Sequence, residues 1–279
     1  KRKERVTLFK DLLIKWVTDL IDKFAAVGQN SYLSIGLSAF NNTLYGWVHT
    51  IMTSVVMPIA YVILALFFVL ELYKASIKVD GAGGGSSFGA EIVFRVMFKM
   101  VLCKVAVDSS LLFMQAIYSV AQAVVTGIAG VVVNGSVSGA VDLAAMTAQI
   151  NAMSLGDQIG MLLELVIVKF GVWVLLGLVQ IICIARFIEI YVYIAISPIP
   201  IATFPSDDLN QIAKGFLKSF AAVCLQGAFI YLILSFFPIL VSSNILGDTS
   251  AWGLLLYSLI LALGVFSSSR WAKSVCNAM

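Results

Sequence analysis

Seven ionisable residues stand inside or at the edge of long apolar runs: Lys99, Lys104, Asp108, Glu164, Lys169, Arg186 and Glu189. A charge in hydrocarbon is costly, so such residues pair locally, reach an interface or face an aqueous path. The structural reading is simple. Lys104 and Asp108 can pair along one helix face, Arg186 and Glu189 can do the same a turn apart, and Lys169 can snorkel. The functional reading is a polar inner surface of an oligomeric ring, with Lys99 and Lys104 near its cytoplasmic mouth. Pro198 and Pro200, in Ser197-Pro198-Ile199-Pro200, are a different kind of candidate. They predict an extended, polyproline-like break that fixes a bend at a membrane edge.

Other chemistry is excluded by what these residues lack as neighbours. A Ser-His-Asp arrangement needs a histidine oriented by an acid, and His49 is the only histidine, with no acid close by. Cys103, Cys183, Cys224 and Cys276 show neither CxxC pairing nor zinc spacing. The first three lie in apolar runs, where free cysteine behaves as a small hydrophobe. Gly81-Ala82-Gly83-Gly84-Gly85-Ser86-Ser87 lacks the GK[ST] of a phosphate-binding loop and reads as a linker. No metal and no cofactor is expected, and the chain is not expected to be an enzyme. Any active movement would draw its energy from another protein.

Composition sets the medium in which these residues act. The chain has 279 residues, 61% hydrophobic and 12% charged, with a mean hydropathy of +1.00. Soluble domains carry about 25% charged residues. So much apolar surface cannot be buried in one core of this size, and an apolar solvent must take the rest. The net charge of +3 is too small to argue for nucleic acid by itself. The expected fold is all-α: a polytopic membrane protein with about five transmembrane helices, an N-terminal amphipathic helix and a long third helix.

The segments follow in order. Residues 1–50 read as amphipathic and interfacial. Val6, Phe9, Leu13, Trp16, Val17, Leu20 and Phe24 recur at helical spacing within 5–26, opposite Lys10, Asp11, Lys15, Asp19 and Lys23. Residues 51–127 hold the first two spans, at 51–73 and 105–127. Between them lie a hydrophilic connector at 74–90 and a basic cytosolic extension, which reads with the second span as one helix over 91–127, too long for a single crossing. Residues 128–158 form an extracytoplasmic loop rich in Gly, Ser and Ala. Residues 159–204 form the long third span with its proline break, and its last apolar run, 190–204, must be re-entrant or packed on protein. Residues 205–279 hold spans at 216–241 and 251–267 and a short cytoplasmic tail. Trp47, Trp173, Trp252 and Trp271 fit aromatic belts. No signal-peptide pattern opens the sequence, so insertion is expected to use the spans themselves.

Basic residues gather on alternate connections. Lys74, Lys78, Arg95, Lys99 and Lys104, then Lys214 and Lys218, then Arg270 and Lys273 mark one side, while 128–157 and 242–250 carry no Lys or Arg. The positive-inside rule then places the N-terminus outside and the C-terminus in the cytoplasm. Lys1, Arg2, Lys3 and Arg5 oppose that arrangement, so either a partner tethers the first helix outside or 32–50 enters the membrane.

This layout resembles the TrbL family, polytopic inner-membrane components of conjugative type IV secretion systems. The sharpest local likeness is Arg186-Phe187-Ile188-Glu189 followed by Tyr191 through Phe204, which is similar to a long central helix ending in a small-Pro turn. The resemblance implies a homo-oligomeric, pentameric ring in the bacterial cytoplasmic membrane, at the base of the secretion channel and pilus. It further implies partner ATPases, other conjugation-machinery membrane proteins, pilin-like subunits, membrane phospholipids and transient contact with single-stranded DNA. The compact form is closer to versions from Gram-positive mobile elements. A small-molecule or ion permease and a non-pore membrane organiser are the alternatives; a permease would be expected to show repeats with paired broken helices, and one break and no clear repeat are visible.

Overall fold

The computed structural model describes residues 15–16, 19, 35–81, 86–134, 155–206, 209–236, 239–240, 243, 245 and 251–278. Among them every regular element is helical: α1 (Leu37–Phe40), α2 (Asn42–Ile51), a π-helical turn (Met52–Val56), α3 (Met57–Gly81), α4 (Ser86–Asp108), α5 (Ser110–Asn134), α6 (Leu155–Ile196), α7 (Pro198–Ile201), α8 (Asn210–Ser235) and α9 (Ala251–Val275). Five stretches are long and apolar enough to cross a membrane: Asn42–Ile77, Ser110–Val131, Leu165–Ile196, Asn210–Ser235 and Leu255–Val275. The protein is an all-helical, multi-pass membrane protein, as composition dictates.

Local chemistry explains where the helices begin, bend and stop. The first span starts earlier than expected because the Asn41 side chain caps α2, accepting from the Leu44 backbone N–H at 2.9 Å. Pro58 has no N–H to give to the preceding turn. The chain accommodates it with the π turn just upstream, where the Met57 N–H reaches back to the Met52 carbonyl. The 42 residues of α6 extend about 63 Å, roughly twice the hydrocarbon thickness.

Three expectations need correction. The connector at 74–90 is helical through Gly81 and again from Ser86, and only 82–85 lie outside the described residues. Hydrophilic side chains do not forbid helix, and Glu71 supports the turn by pairing with Lys74 at 3.5 Å. The long helix expected over 91–127 is interrupted at Ser109, between α4 and α5. The Ser197–Pro200 break is not extended. Ser197 has φ −52 and ψ −35, and Pro198–Ile201 form a helical turn with proline at its first position. A proline there loses nothing, since that N–H has no partner in any case. Burial of Ser197, Pro198 and Ile201 overrides the extended preference of a residue that precedes proline. Apart from Lys15, Trp16 and Asp19, the N-terminal helix expected at 5–26 lies outside the described residues, as does 135–154 of the loop expected at 128–158, whose two ends belong to α5 and α6.

The chain forms two compact units. One comprises Ile35–Ala121, Arg186–Leu225 and Trp271–Met279. Its larger core gathers Leu37, Met52, Met114, Phe187, Ile194 and Phe220. There α1 is clamped. Phe40 stacks on Phe187 with centroids 4.1 Å apart, and the Tyr118 and Tyr191 hydroxyls donate to the Ile35 and Leu37 carbonyls, each at 2.6 Å. A second cluster joins Ala60 and Leu64 of α3, Met100, Cys103 and Val107 of α4, and Ile201 and Ala202 at the α7 turn. The 190–204 run is therefore packed on protein.

The other unit comprises Lys1–Ser34, Gln122–Ala185 and Gln226–Arg270. Its described residues include close small-residue contacts and a buried polar pair. Gly264 leaves room for Ile233, whose Cγ2 would stand 3.1 Å from an added Cβ. Gln226 donates to the Ser268 hydroxyl at 3.3 Å. Such pairs hold membrane helices together where lipid supplies no hydrophobic drive between them.

Candidate functional site

The polar residues expected from sequence are distributed over both units. The densest group is on α3 and α4. Lys104 Nζ lies 2.7 Å from Asp108 Oδ2, the Tyr61 hydroxyl donates to Asp108 Oδ1 at 2.6 Å, and the Lys104 ammonium stands 5.9 Å from the Tyr61 ring centre. The i,i+4 pairing expected along α4 is thus present, and a third partner from α3 completes it. Tyr61 was not legible as a site residue: nothing in a run of apolar residues marks which tyrosine will meet an aspartate 47 positions away.

Lys99 belongs to the same helix but not to this group. It is five positions from Lys104, which places the two roughly 140° apart around α4. The two lysines therefore occupy different edges of the helix. Arg95 pairs with Glu91 at 2.9 Å on the same side as Lys99.

Lys169 pairs with Asp19 at 2.8 Å, and its ammonium lies 5.0 Å from the Trp16 ring centre. Trp16, Phe170 and Trp173 line an apolar cleft beside it, together with Val166, Val172 and Leu176. Here the sequence offered only a snorkelling lysine, because its partner comes from a helix far away in the chain. Arg186 is 3% exposed, deep in the first of the two units, with its guanidinium carbon 5.0 Å from the Phe187 ring centre. Glu189 is exposed, so the two residues meet different surroundings. Cys103, Cys183 and Cys224 are buried free thiols, Cys276 is half-buried, and His49 is exposed on α2.

Charges held by specific partners on a bundle of apolar helices define a class: polytopic helical membrane proteins with paired intramembrane or border charges. The model of one family, described as TrbL/VirB6 plasmid conjugal transfer like protein, matches residues 26–198. That is more than half of the chain, and the chain belongs to this family. It is a membrane component of conjugal transfer, within the type IV secretion class. No curated protein and no solved structure matches the chain significantly.

Proposed function

We propose that this chain is a channel or scaffold subunit of a conjugative DNA-transfer apparatus, assembled as a homo-oligomeric ring and served by partner ATPases. Membership of the TrbL/VirB6 family over 26–198 carries the reading. The five spans supply the helices such a ring needs. The ring lies in the bacterial cytoplasmic membrane with the N-terminus outside and the C-terminus in the cytoplasm, following Lys74, Lys78, Lys214, Lys218, Arg270 and Lys273. Other conjugation membrane proteins and pilin-like subunits dock on it, and single-stranded DNA passes through or beside it.

Lys99 and Lys104 border the transport path near its cytoplasmic mouth, on different edges of α4, with Lys104 held by Asp108 and Tyr61. Lys99→Glu should lower DNA transfer while membrane levels of the protein stay constant, and unchanged transfer counts against a path at this position. A projection image of the purified assembly tests the ring itself. A closed ring supports the conduit, whereas a compact monomer or dimer favours a permease.

A further inference from the structure

Helix α4 is the one long helix among the described residues that does not qualify as a span by length and hydropathy, and its spacing of charges predicts a cytosolic extension. Its surface tells otherwise. Phe94, Met97, Phe98, Val101, Leu102 and Val105 are all exposed, Phe94 at 70% and Val101 at 60%. At about 100° per residue, these side chains fall on one stripe down the helix. The opposite face, with Met100, Cys103 and Val107, is buried against α3 and the α7 turn.

Depth follows from the packing partner. Ala60 and Leu64 of α3 cluster with Val107, Cys103 and Met100, and Tyr61 bonds Asp108. The second half of α4 therefore runs beside the middle of the charge-free stretch Ile51–Leu70, within the span Asn42–Ile77. The exposed faces of the two helices are alike: α3 presents Val62, Leu66, Val69 and Tyr73, with Val62 at 71%.

We propose that α4 is embedded in the bilayer beside α3, with its Phe94–Val105 stripe against phospholipid acyl chains. The charges of α4 suit such a setting, and Lys99 is half-buried and lies off the stripe. Glu91 neutralises Arg95, and Asp108 neutralises Lys104 while also taking the Tyr61 hydroxyl. The inner face then has a task. The chain from Ser197 to Ser206 is non-helical apart from the short α7 turn, and irregular backbone at membrane depth survives only when protein covers it. The α3–α4 hairpin supplies that cover through Met100, Cys103 and Val107. An apolar stripe of this size in water would instead be an aggregation surface.

The wild-type chain, reconstituted alone into liposomes of phosphatidylethanolamine and phosphatidylglycerol, provides the test. A phospholipid with a diazirine in its acyl chain is photolysed, and the labelled positions are mapped by mass spectrometry. The expected result is label on the α4 stripe as dense as on Val62, Leu66 and Val69 of α3, with Met100, Cys103 and Val107 unlabelled. Label on α3 with none on the α4 stripe overturns the proposal, whether water or a second copy covers that face. This result is independent of the conduit: loss of DNA transfer in a cell says nothing about acyl-chain contact, and an unlabelled α4 leaves membership of the apparatus intact.

Discussion

Asp108 shows how much the surroundings decide the worth of one ion pair. An exposed Lys–Asp pair in water contributes about 0–1 kcal/mol. At membrane depth the same pair cannot be broken without leaving Lys104 charged and uncompensated. Asp108→Asn should therefore lower the thermal midpoint in detergent clearly more than Glu91→Gln, which breaks the Arg95 pair nearer the start of α4. Equal, small shifts would place both pairs in water. Gly264 offers a second test at this scale. An added Cβ would press on the branch methyl of Ile233, a side chain stiff at its first torsion. Gly264→Ala should destabilise the chain by about 1–3 kcal/mol, the usual range for overpacking. Gly177→Ala, with nothing within 4 Å, should leave the midpoint unchanged or raise it slightly. At Gly171 the added atom would meet Leu255 Cδ1 at 2.8 Å. That methyl ends a flexible side chain and can swing aside, so Gly171→Ala should be milder than Gly264→Ala.

Elements were legible in proportion to how far hydrocarbon dictates them. Runs of apolar residues such as Ile59–Leu70 can hardly be anything but helix in a bilayer, where each backbone group must be satisfied within its own segment. Span number and the end of α6 before Ser197 followed directly. Helix limits in hydrophilic stretches did not, because 74–81 is polar yet keeps its helical bonds. The conformation of Ser197–Pro200 also escaped, since local preference favoured extension and only burial made it helical. Least legible were the clamps. Tyr118 reaches Ile35 across 83 positions and Tyr191 reaches Leu37 across 154, and no local pattern marks either. These bonds give α1 its place, and removing either hydroxyl is expected to cost about 1–3 kcal/mol, the penalty for leaving a buried carbonyl unpaired. Tyr191→Phe should accelerate amide hydrogen exchange at Ala39 and Phe40, while exchange in α9 remains as in the wild type. Uniform acceleration would mean global rather than local loosening.

At the scale of the whole molecule, candidate residues gather by unit rather than at one centre. Lys99, Lys104, Asp108, Arg186, Glu189, Pro198 and Pro200 belong to one unit, and Lys169 with Asp19 belongs to the other. The α7 turn is where assembly would respond first, because its prolines set the path of chain between α6 and α8. Pro198→Ala combined with Pro200→Ala is expected to loosen the ring, seen as smaller particles on a native gel, and normal oligomers would reject that role. The family assignment over 26–198 leads to the most direct test of all. Deletion of the coding sequence from its mobile element, with transfer from donor cells counted, should abolish transfer, and the wild-type chain supplied in trans should restore it. Transfer at the parental frequency in the deletion strain would contradict the account.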